Sequence, residues 1–187
     1  MSSPAAPLDF LQAIKLTFAA EKQTADRAIA QLENEQLHAS LDPRMNCIAV
    51  IMKHVAGNLI SRWTDFLTSD GEKPSRDRDD EFIDTLTTRE ELLARWEEGW
   101  SRLFAALDAL TAADCQAMVS IRGEPMSVPA ALCRSLAHTA YHMGQIVQSA
   151  RALAGDRWTT LTIPPGGSNE FNRRTWGPAS PSIATDQ

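Results

Sequence analysis

Four stretches of the chain repeat apolar residues at steps of three and four, the spacing of the buried stripe on an amphipathic helix. Phe10, Leu11, Ile14, Phe18, Ala25, Ile29 and Leu32 mark a first helix from Pro7 to about Leu41. Leu41-Asp42-Pro43 stops it, because proline lacks an amide hydrogen and disfavours helix in the residue before it. A second helix starts near Asn46, a suitable N-cap, and runs through Ile48, Ile51, Val55, Leu59 and Trp63 to about Thr68. A third begins at about Thr88, where Thr88-Arg-Glu-Glu has the form of a capping box, and follows Leu92, Trp96, Trp100, Leu103 and Leu107. The fourth spans Val128 to Leu153, with Pro129 in its first turn and Gly155 as its stop.

Four such stripes in one domain predict an all-α four-helix bundle over residues 1–155, each stripe facing a common core. The charged run from Ser69 to Glu81 falls in a connection of about 18 residues between the second and third helices, longer than the roughly 2 to 8 usual between bundle neighbours. It is a crossover, a functional loop, or both; as a crossover it makes those helices parallel, giving up-down-down-up order. Met118 to Val128 alternates apolar and polar residues around a Gly-Glu turn and predicts a short hairpin-like excursion before the fourth helix. Residues 156–187 are a tail rich in proline, glycine and serine. Its first half, with Trp158 and Leu161, is apolar enough to pack back on the domain, and its last ten or so residues are expected to be disordered.

Apolar residues make up 43% and charged residues 22%, the range of ordinary globular proteins. The net charge of -6 offers no broad positive face for phosphates, which argues against nucleic acid as a partner. No apolar run reaches the roughly 18 residues of a membrane span, and the first residues lack the pattern of a secretory signal. Cys47, Cys115 and Cys133 are odd in number and lack metal-type CxxC spacing, which suits reduced thiols and a cytoplasmic location.

The chemistry centres on His138-Thr-Ala-Tyr-His142 in the fourth helix. Two histidines four residues apart on a helix lie about 40° apart around the axis and roughly 6 Å along it, a spacing that permits chelation. The pair needs a third ligand, and His54 offers it from the second helix; the fourth histidine, His38, closes the first helix and suits its C-terminal dipole. Facing helices of a bundle build metal sites from such side chains. Three imidazoles hold Zn²⁺, or with other geometry Ni²⁺ or Fe²⁺, and leave a position open for water or substrate. The zinc-protease reading fails, since Thr139 stands where the glutamate base belongs.

Asn58, Arg62 and Gln145 share the faces of the histidines; they either orient ligands or substrate, or make hydrogen bonds between helices. Arg76 and Arg78 in the long loop either bind an anionic substrate over the mouth of the bundle or belong, with Asp77, Asp79 and Asp80, to a solvated charge run. Cys47 lies two turns before His54 and reads as a small core residue rather than a fourth ligand. The bland alternative for each histidine is a hydrogen-bonded core residue.

The runs His54-Val-Ala-Gly-Asn-Leu-Ile-Ser-Arg-Trp, Asp65 to Asp79 and His138-Thr-Ala-Tyr-His-Met-Gly-Gln-Ile resemble the DinB/YfiT-like superfamily, and within it the subgroup catalogued as a domain of unknown function. The likeness extends from the first helix to Leu161-Thr-Ile-Pro-Pro-Gly-Gly-Ser. It implies an up-down-down-up bundle, a three-histidine metal site at His54, His138 and His142, and a homodimer. The superfamily includes mycothiol-dependent maleylpyruvate isomerase and bacillithiol transferases, which implies a small-molecule substrate and a low-molecular-weight thiol as candidate co-reactant, in transfer, isomerisation or hydrolysis. The alternative is a non-catalytic dimeric metal-binding or stress-response bundle, because function does not follow from fold.

Overall fold

The computed structural model describes residues 9–177. Asp9 caps the first helix, α1 (Phe10–Ile29), by accepting from the Gln12 amide at 2.8 Å. Ile14, Phe18, Ala25, Ala28 and Ile29 form its buried stripe. The predicted first helix does not run on to Leu41. It breaks after Ala30, and a short α2 (Asn34–Leu37) restarts behind a capping box of Glu33 and Gln36. The break places Gln31 and Gln36 where they bond the carbonyls of Thr159 and Leu153 across the molecule. Apolar spacing continues through the break, so periodicity alone does not show it.

α3 (Ile48–Trp63) is buried on nearly every side, with only Asn58 and Ile60 left partly exposed, as expected of a helix enclosed by others. Its cap is Cys47 rather than Asn46, and the chain leaves the helix through Asp65 at φ 49°. α4 (Arg89–Ala109) starts at the Thr88–Glu91 capping box and buries Leu92, Trp96, Trp100, Leu103 and Leu107. α5 (Val128–Ala154) has Ser127 as cap, proline in its first turn and Gly155 at φ 56° as its stop. The protein is mostly helical: α3 packs against α4 and α5, and α1 against α5 and α4, and their buried apolar residues form one core. Gly99 marks the close approach of α3 and α4: a Cβ there would stand 2.7 Å from Ala56 Cα.

The excursion before α5 is an antiparallel hairpin, β1 (Met118–Ile121) and β2 (Glu124–Ser127), turned by Arg122 and Gly123 at φ 58° and 76°. The long connection after α3 is ordered by two ties. Asp70 accepts from Ser120 Oγ and from the amides of Glu72, Arg122 and Gly123 at 2.5 to 2.8 Å, clasping the connection to the hairpin. These bonds hold its carboxyl well below the usual carboxylate range. The second tie is Lys53 on α3, buried, which donates to the carbonyls of Asp80 and Ile83 and to Thr85 Oγ1 at 2.6 to 3.1 Å.

In the tail, Leu161 is buried and Trp158 packs on the core. Beyond them lies an element absent from the sequence reading, α6 (Ser168–Trp176), which buries no side chain and so carries no apolar stripe to read. The disorder expected of the last ten residues falls outside the described residues. No described helix is long and apolar enough to cross a membrane.

Candidate metal centre

α3 brings His54, and α5 brings His138 and His142, to one point: one ring nitrogen from each lies within 4.8 Å of the other two. His138 Nε2 and His142 Nε2 are 3.2 Å apart. The ring centroids of His54 stand 5.5 Å from His138 and 4.9 Å from His142, with the planes steeply inclined. Steep inclination turns ring edges, where the nitrogens are, towards a shared space.

Two of the three remaining nitrogens are committed elsewhere. His54 Nδ1 meets Glu81 Oε2 at 3.0 Å, and a carboxylate can only accept, so the proton sits on Nδ1 and the Nε2 lone pair is left bare. His142 Nδ1 meets Gln145 Oε1 at 2.7 Å, with the amide oriented by its own donation to Tyr141 Oη at 3.2 Å. Burial, with the neighbouring histidine charges adding to it, pushes His138 down to about 4, and burial also lowers His142. Both are therefore neutral at physiological pH, the form that coordinates.

The donor set fits a metal ion. Two nitrogens held by one tetrahedral zinc stand about 3.3 to 3.4 Å apart, given bonds of roughly 2.0–2.1 Å, close to the separation of His138 and His142. Ligating histidines characteristically donate their second N–H to a carboxylate or carbonyl, as His54 and His142 do.

Glu81 is the residue that sequence reasoning missed. It sits on the short turn Asp80–Phe82 and is held by Arg76, whose Nε and Nη2 reach its two oxygens at 2.7 Å each. Arg76 also meets Glu72 at 3.2 Å. Burial opposes charge on Glu81, yet the bonds from His54 and Arg76 outweigh it and hold the carboxyl below its ordinary range. Gly57 makes room for it: a Cβ there would lie 2.1 Å from Glu81 Oε1. Phe82, the next residue, stacks on His54 at 4.7 Å, and the Arg78 guanidinium lies over the Phe82 ring, 5.3 Å from its centroid. Only the order of charges in an irregular loop was visible beforehand, and that order does not say which side chain turns inward.

A cavity of about 200 Å³ opens beside His54 and His138, lined by Asn58, Ser135 and five arginines. Asn58 and Arg62 reach it from α3, Arg76 and Arg78 from the connection, Arg122 from the hairpin turn and Arg134 from α5. Gln145 does not line it and stands instead behind His142. Cys47 is outside the cluster, its thiol 3.7 Å from Asp84 Oδ2, and His38 pairs with the same carboxylate at 2.8 Å.

Residues 6–167 match the model of a family described as a protein of unknown function, DUF1572. The chain belongs to that family. The DUF1572 match takes in α1 to α5, the hairpin, all three histidines and Glu81, and ends before α6. No curated protein and no solved structure matches the chain.

Proposed function

We propose that this DUF1572 protein is a DinB/YfiT-like metalloenzyme in which His54, His138 and His142 hold one divalent ion, zinc before nickel or iron. The observation that carries the reading is the pair of acceptors, Glu81 and Gln145, that occupy Nδ1 of His54 and His142 while one nitrogen of each of the three rings lies within 4.8 Å of the others. The packing of α3 on α4 and α5, and of α1 on α5 and α4, supports an up-down-down-up four-helix bundle of residues 1–155, with the first half of the tail over it. A homodimer in the cytoplasm completes the reading.

When bound, the ion supplies Lewis acidity that lowers the pKa of a water or of a low-molecular-weight thiol. The protein's own groups prepare the place. Arg76 keeps Glu81 ionised, Glu81 keeps the proton of His54 on Nδ1, and Phe82 covers the ring face. His54 and His138 border the cavity, so a small-molecule substrate entering it meets them first.

His138→Ala is expected to lower bound zinc from one equivalent per chain to none while circular dichroism stays unchanged; unaltered zinc content by elemental analysis sinks the assignment. Thiol chemistry is tested by incubating zinc-loaded protein with bacillithiol, mycothiol or glutathione and a panel of electrophiles. Absence of turnover with all three removes it and leaves hydrolysis or metal-dependent binding.

A further inference from the structure

The chain carries a net charge of -6, yet among the described residues five arginines and no carboxylate line the cavity beside the histidines. Two of the five have acidic partners: Arg76 is forked on Glu81, and Arg122 Nε lies 3.3 Å from Glu72. Among the described residues Arg62, Arg78 and Arg134 enter no ion pair. Arg62 is only 8% exposed, and its Nη1 is buried with no hydrogen-bond partner. Ser135 Oγ, on the same wall, is also buried and unpartnered.

A guanidinium taken out of water without a counter-charge or acceptor is costly, and like charges beside it add to the cost. Burial first, and then the Arg134 charge, depress the pKa of Arg62, against an opposing pull from the Glu72 carboxylate, which makes no ion pair with it. The position is nonetheless built for that side chain. Gly71 leaves the space it occupies, since a Cβ there would stand 2.7 Å from Arg62 Nη1, and the Gly71 amide is fixed to Ser120 O at 2.8 Å. Two side chains that line the cavity and carry unpartnered donors, one of them in a space the fold leaves for it, define a seat for an anion.

We propose that this cavity binds a small anionic substrate whose carboxylate or phosphate group is held by Arg62, Arg134 and Ser135, with its other end directed at His54 and His138. The guanidinium fork matches both kinds of anion, each of which presents paired oxygens to it. The volume of about 200 Å³ is below that of drug-sized pockets and limits the ligand to a few carbon atoms. The inference rests on the metal reading for the reacting end only; the anion seat stands on its own residues. It also places the anion-binding role on Arg62 and Arg134 rather than on Arg76, whose fork is already filled.

Calorimetry on the full chain, stripped of metal by chelator at low ionic strength, tests it with succinate and with inorganic phosphate as separate probes. Saturable one-to-one binding of at least one probe is expected, and the tighter probe identifies the preferred group. Arg134→Gln, at an exposed position on α5, is expected to weaken binding at least tenfold, and Arg62→Lys, which keeps the charge but loses the fork, several-fold. Arg102→Gln, exposed on α4 away from the cavity, leaves it unchanged. No saturation by either probe, or an Arg134→Gln protein that binds like the parent, overturns the proposal. A parent protein that takes up zinc but neither anion refutes the seat alone. One that binds succinate through Arg134 but takes up no zinc supports the seat and removes the metal reading.

Discussion

Glu81 Oε2 lies 3.0 Å from His54 Nδ1, and both side chains are only 6% exposed. A loop carboxylate therefore sets the tautomer of a helix histidine from the side opposite the other two imidazoles. The same carboxylate holds Arg76, itself 5% exposed, so one residue serves both the centre and the fold of the loop.

Two substitutions separate those roles. Glu81→Gln, which keeps an acceptor but loses the charge, is expected to weaken zinc binding about 10- to 100-fold in competition with a chromogenic chelator. Glu81→Ala leaves Arg76 with Glu72 alone and His54 Nδ1 without an acceptor, and is expected to cost about 1–3 kcal/mol in urea unfolding. Equal zinc affinity in the parent and Glu81→Gln removes the carboxylate from the centre.

The glycines of the core make a contrasting pair. Gly57→Ala drives a methyl against Glu81 Oε1, the end of a side chain that can swing away. It is expected to reproduce the zinc defect of Glu81→Gln with a destabilisation of about 1–3 kcal/mol. Gly99→Ala meets the backbone of Ala56, which cannot swing, so it is expected to lower the unfolding midpoint while zinc stoichiometry stays at one. Loss of zinc in Gly99→Ala with Gly57→Ala unaffected reverses the argument.

The metal-free protein should lose stability in acid. His138 has a folded pKa of about 4 against 6.5 for the free side chain, so between those values the unfolded chain binds the extra proton. The contribution is complete above about pH 6.5 and declines as pH falls towards 4. Glu81, lowered from 4.5, adds a loss of the same sign below that value. Urea midpoints at pH 7, 5.5 and 4.5 after chelation are expected to fall in order, and His138→Gln to flatten the first interval. Midpoints that rise from pH 7 to 5.5 contradict the neutral, buried state of the ring.

The helices carrying the histidines were legible because their apolar residues recur at the helical period, and His138 and His142 fall on one face by spacing alone. The hairpin was legible because alternation flanks a turn, which Arg122 and Gly123 complete with positive φ. What periodicity does not encode is the inward turn of a side chain in irregular chain. Glu81 is buried because Lys53 fixes the carbonyls on either side of it and Gly57 leaves it space, both consequences of packing between segments. Arg76 and Arg78, two residues apart in one charged run, diverge for the same reason: the first is enclosed between Glu72 and Glu81, while the second rests on Phe82. α1 breaks after Ala30 without disturbing the apolar steps, because Ile29 and Leu37 are buried on both sides of the break.

Asp70 joins two segments that are about fifty residues apart in the chain, one following α3 and the other preceding α5. Arg76 and Arg78 hang from the first and Arg122 from the second, so the mouth of the cavity is a single hoop rather than two independent flaps. Loss of the Asp70 carboxylate would therefore release both sides of that rim together.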